Sequence, residues 1–78
     1  MTEPRRTLVA GPHRLTVVEC ETFDTGGADA EMGVAQDAVG KYHAFIRGFW
    51  GDVALSRAFD TVLLARDDTD RLRRRVCG

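Results

Sequence analysis

Few residue types in this sequence could do chemistry, and their spacing decides what each is worth. The two histidines, His13 and His43, lie thirty positions apart. Neither sits in the His-x3-His or His-Glu-x-x-His spacing that puts two imidazoles on one metal. His13 follows Gly11-Pro12 and reads as a solvated turn residue. His43 reads as a helix-surface or interface residue, with a general base as the minor alternative. Cys20 with His43 is the available thiol–imidazole pair, but nothing in the spacing joins them, and a strand cysteine is usually a small core hydrophobe. Asp67-Asp68-Thr69-Asp70 lacks the glycine and distal glutamate of a calcium loop. Ion pairs of Asp67 with Arg71 and of Asp70 with Arg74 explain it better. Gly26-Gly27 is too short for a phosphate loop. The sequence therefore predicts no catalytic set, no metal site and no cofactor.

Binding is the better use of its side chains. Phe45 and Trp50 fall in the aromatic stretch Tyr42–Trp50. Trp50, with Phe45, is expected to form an apolar anchor of the kind enriched at interface centres. Glu19 and Glu21 are two apart on a strand, so they project from one face as an acidic pair. These four residues are the candidate protein-binding set. The alternative is a nucleic-acid contact through Arg71, Arg73, Arg74 and Arg75. Three facts weigh against it: the acids before these arginines, the dipole benefit of cations at a helix C-terminus, and the absence of a stacking platform. The order strand, helix, helix is also that of ribbon-helix-helix regulators, but their strand needs basic or polar side chains where this one has Glu19 and Glu21.

The elements that must position these groups have to fit in 78 residues, with 44% hydrophobic and 29% charged. That is one domain, near the size where a core supplies only about 3–5 kcal/mol, so a homodimer is expected. Net charge is −1, distributed as +2 over residues 1–14, −6 over 15–40 and +3 over 41–78. With ten arginines to one lysine and no asparagine, arginine abundance reflects composition as much as function. Two cysteines make no disulfide framework, and no apolar run approaches membrane-spanning length. A cytoplasmic protein with reduced thiols is the expectation.

The predicted fold is α+β: an N-terminal β-hairpin packed on an antiparallel two-helix hairpin, all in a single domain. Residues 1–6 form a tail. Residues 7–22 make the hairpin around Gly11-Pro12. Apolar residues at 28, 32, 35, 39, 42, 46 and 49 alternate spacings of four and three, which predicts a first helix over 28–50. Gly40, Ala44 and Gly48 would line a small-residue ridge beside that stripe. A glycine stop at 40 would instead make Lys41–Trp50 a strand, with His43, Phe45, Arg47 and Phe49 on one face. Gly51-Asp52 turns the chain into a second helix over 53–76, which Asp67-Asp68-Thr69 can break to leave a short third helix. Together these features point to a small non-catalytic module, a regulator, adaptor or inhibitor that binds a protein partner.

Overall fold

In the computed structural model of the chain, residues 6–24, 29–48 and 53–77 are described. They form β1 (Thr7–Ala10), β2 (His13–Asp24), β3 (Asp29–Gln36), β4 (Tyr42–Arg47) and β5 (Val53–Leu55), then α1 (Val62–Asp67) and α2 (Thr69–Cys77). The strands make one antiparallel sheet in the order β1-β2-β3-β4-β5. The two-helix hairpin is therefore corrected to a curled five-stranded sheet with a short bent helix at its end. Two strands do flank Gly11-Pro12, with Ala10 opposite His13. Gly11 has φ +61, which suits the first position of a tight hairpin turn.

The predicted helix over 28–50 is two strands, because β3 and β4 are buried on both faces. Met32, Val34, Ala35, Ala44, Phe45 and Ile46 all fall in the buried class. A strand that is apolar on both sides carries no alternation, so a helical period can be read into it. Two facts break that reading. Val39, a stripe position, is 81% exposed. Gly40 has φ +91 in the turn between β3 and β4, so the supposed ridge is a turn and a strand.

The sheet curls around one face. Leu8, Leu15, Val17, Ala35 and Phe45 make a core, and Ala10, Val53 and Leu55 from the outer strands pack on it. The other face carries Met32, Ala44 and Ile46, covered by Leu72 of α2 and bordered by Phe23 and Ala54. Burying a large apolar side chain such as Ile46 or Phe45 stabilises the fold by about 1.5–3 kcal/mol. Gly33 is fixed by sterics. The β2–β3 register slips between Val17 and Glu19, a bulge that pushes β2 toward β3. A Cβ on Gly33 would lie 2.0 Å from the Glu19 carbonyl oxygen.

The predicted helix over 53–76 survives in part. Residues 53–55 pair with β4, and the Phe59 backbone exchanges hydrogen bonds of 2.7 and 2.9 Å with Tyr42. Pairing with the β4 backbone outcompetes helix there. Helix begins only after Thr61, whose Oγ1 accepts from the Leu64 amide at 3.2 Å, the usual N-cap contact. Asp68 then separates α1 from α2. No helix among the described residues is long and apolar enough to cross a membrane.

Candidate interaction surface

The potential anchors divide sharply by position. Phe45 is 0% exposed because it stands opposite Gly33 on β3 and inside the curl. It cannot serve as an exposed anchor. Trp50 and Phe49 lie outside the described residues. Glu19 and Glu21 pair with Val34 and Met32 of β3, so they share a face of the sheet. Glu21 is exposed. Glu19 is engaged: Arg66 of α1 donates to its two carboxylate oxygens at 2.8 and 2.9 Å. That fork clamps the helical cap to β2, and the carboxylate raises the Arg66 pKa further.

The apolar surface that sequence reasoning missed is on α1. Leu63 and Leu64 are neighbours, 65% and 50% exposed, while Ala65 beside them is fully buried. A helix that buries one narrow stripe must turn adjacent residues outward. The signal for this was available in the run Val62-Leu63-Leu64, which has too many apolar residues for a one-sided stripe.

The arginines of α2 decorate the same cap. Arg71, Arg73, Arg74 and Arg75 are all exposed. Arg71 approaches Asp68 and Arg73 approaches Asp70, each at 3.7 Å. These i,i+3 contacts replace the expected pairs of Asp67 with Arg71 and Asp70 with Arg74. The side chains of Arg74 and Arg75 have no hydrogen bond or ion pair among the described residues.

The groups that looked chemical are brought together differently. His13 and His43 line one cavity of about 370 Å³ with Leu15, Asp37, Leu55 and Ser56. His43 Nε2 meets Asp37 Oδ2 at 2.8 Å, and its Nδ1 meets the Ser56 carbonyl at 3.0 Å. A carbonyl only accepts, so Nδ1 carries the hydrogen of that contact. Both ring nitrogens are engaged, which leaves neither to take a proton from a substrate. Asp37 Oδ1 also accepts from the amides of Val39 and Lys41, at 3.0 and 2.9 Å. Its bond to His43 is the largest cause of a lowered carboxyl pKa. The network latches the β3–β4 turn to the end of β5. Lys41, at the end of the same turn, directs its ammonium to Asp60.

Cys20 carries no disulfide; its thiol donates to Glu31 at 3.3 Å, and burial raises its pKa. Arg6 clamps the same Glu31 at 2.7 and 3.2 Å and holds that carboxyl low. A thiol facing a carboxylate is poorly disposed to become a nucleophile. Among the described residues no group of three or more His, Cys, Asp or Glu is placed to hold a metal ion. Compared with known proteins, the chain matches no protein-family model, no curated protein and no solved structure.

Proposed function

We propose that this chain is a small non-catalytic interaction module, a regulator, adaptor or inhibitor that covers the surface of a protein partner. The carrying observation is the adjacent pair Leu63 and Leu64, exposed on a helix whose other side is committed to the core. Scattered exposed leucines are ordinary, but two side by side at the first turn of α1, next to half-buried Val62, make a patch. Contiguous exposed apolar surface of this kind is where small domains meet partners when it grows into a larger patch, and the pair is read as the centre of one. The engaged state of His43, Asp37 and Cys20 supports a structural role for those groups. The reading places the module in the cytoplasm and as a homodimer.

The test is affinity purification of the tagged chain from its source cell, with mass identification, beside the double variant Leu63→Asp/Leu64→Asp. A partner present with the wild type and missing with the variant is expected, with circular dichroism unchanged. Identical partner sets would sink the proposal. Light scattering addresses the homodimer, which a monomeric molar mass removes. A second reading, nucleic-acid binding, draws on Arg74 and Arg75 being unpaired among the described residues. It requires affinity that falls steeply with salt.

A further inference from the structure

The partner's chemistry can be taken a step further, on the premise of the interaction-module reading. Among the described side chains of the cap, Ala65, Thr69 and Leu72 are buried, spaced four and three. The stripe continues across Asp68, where the Asp68 amide reaches the Ala65 carbonyl at 3.1 Å and the Leu72 amide reaches the Asp68 carbonyl at 3.0 Å. Thr69 Oγ1 closes the junction by donating to the Arg66 carbonyl at 2.6 Å. The two helices thus share an inward face, and so they share an outward one.

On that outward face Leu64 is followed by Arg71 and Arg75, and Leu63 by Arg74, at intervals of seven and eleven residues. Such intervals return to the same side of a helix. At 1.5 Å per residue, Leu64 and Arg75 stand about 16 Å apart along the axis, some three turns. Residues 67–77 carry four arginines against Asp67, Asp68 and Asp70, a net of +1 whose positive charge is gathered at the C-terminal end, where Arg73, Arg74 and Arg75 are consecutive. We propose that this outer face, leucines at one end and Arg74 and Arg75 at the other, docks an acidic amphipathic segment of a protein partner.

Charge and polarity choose this occupant. An acidic amphipathic segment satisfies both ends: its apolar side covers Leu63 and Leu64, and its carboxylates meet the guanidiniums of Arg74 and Arg75, where arginine can bind bidentately. A nucleic acid would use the arginines and leave the leucines wet. A second copy would have to offer its own acidic stretch, residues 15–40. Half of its six carboxylates are already held, Glu19 by Arg66, Glu31 by Arg6, and Asp37 by His43 and two backbone amides, so a dedicated acidic segment matches the face better than a second copy does.

The experiment titrates the full chain into a fluorescein-labelled peptide designed with glutamates on one helical face and leucines on the other, read by anisotropy. The comparators are a scrambled peptide of the same composition and a labelled DNA duplex. Saturable binding is expected, weakened about tenfold or more by Arg74→Glu/Arg75→Glu and, separately, by Leu63→Asp/Leu64→Asp. All four positions lie off the buried stripe, and circular dichroism verifies the fold of each variant. Equal binding of the scrambled peptide, tighter binding of DNA, or no saturable binding would each overturn the proposal. So would a concentration-dependent molar mass that the same variants abolish, which assigns the face to a second copy. If the leucine variant loses its cellular partner while the arginine variant keeps it, the acidic chemistry falls and the interaction-module reading stands.

Discussion

Substituting alanine at Gly33 adds one methyl group where β3 passes the bulge of β2. That carbon would lie 2.0 Å from the Glu19 carbonyl oxygen and 2.8 Å from both the Glu19 carbonyl carbon and the Cys20 Cα. All three are backbone atoms, so no side chain can swing aside. Reaching ordinary contact at 3.4 Å requires β2 to retreat by about 1.4 Å, which stretches the β2–β3 ladder beside the bulge. Overpacking of this kind costs about 1–3 kcal/mol, and each weakened ladder bond adds about 1 kcal/mol. The expected loss is about 3 kcal/mol or more, comparable to the whole stability of a domain this small. The assay is urea unfolding followed by circular dichroism. With a slope of about 1 kcal/mol per molar, the midpoint falls by about 3 M or the variant is unfolded in water. A helical 28–50 would respond in the opposite sense, gaining about 1 kcal/mol on replacement of an interior glycine by alanine. An unchanged or raised midpoint therefore refutes the strand, the bulge and the close approach together.

Two further outcomes follow from local geometry. Thr61→Ala removes the acceptor of the Leu64 amide and should cost about 1 kcal/mol, read as a lowered melting temperature; no change would mean the cap contact is idle. Asp37→Asn tests the latch through pH. The folded carboxyl is held below its ordinary value of 3.8, so its stabilisation is full at pH well above that value. It is lost as pH falls through the ordinary value toward the lower folded one. The stability gap between wild type and Asp37→Asn should thus shrink below about pH 4. A gap that persists at pH 2 would show that charge on Asp37 plays no part.

Local signals in the sequence were readable and tertiary ones were not. Gly11-Pro12 marks a turn because its chemistry is contained in two residues. The break at Asp67-Asp68-Thr69 was visible for the same reason, and helix does resume at Thr69. The error over residues 28–50 arose because β3 and β4 face a core on each side. Their apolar positions follow burial, not a period. The glycines held the correcting clue: a helix has no use for Gly33 and Gly40, whereas a bulge and a left-handed turn require them. The Asp37–His43–Ser56 network could not be read at all, since it exists only once the β3–β4 turn and β5 are in place. At the candidate site, Arg71, Arg73, Arg74 and Arg75 do lie exposed. Phe45 was misplaced because an aromatic beside other aromatics looks sticky wherever the fold puts it.

The strand order β1-β2-β3-β4-β5 carries a kinetic consequence. Each strand pairs with the one made just before it, so every hairpin closes a short loop, and closure entropy rises with loop length. Such a meander can grow by addition from the N-terminus, each new strand meeting an edge already formed, which is a fast route for a chain rich in strand. The helical cap is different. It comes last, and its clamp to Glu19 spans most of the chain. Until it docks, Met32, Ala44 and Ile46 present an uncovered apolar face, the kind of surface through which incomplete folds aggregate. The same short helix that offers Leu63 and Leu64 outward is thus the element that finishes the molecule, and a chain that loses it is left with an open sheet.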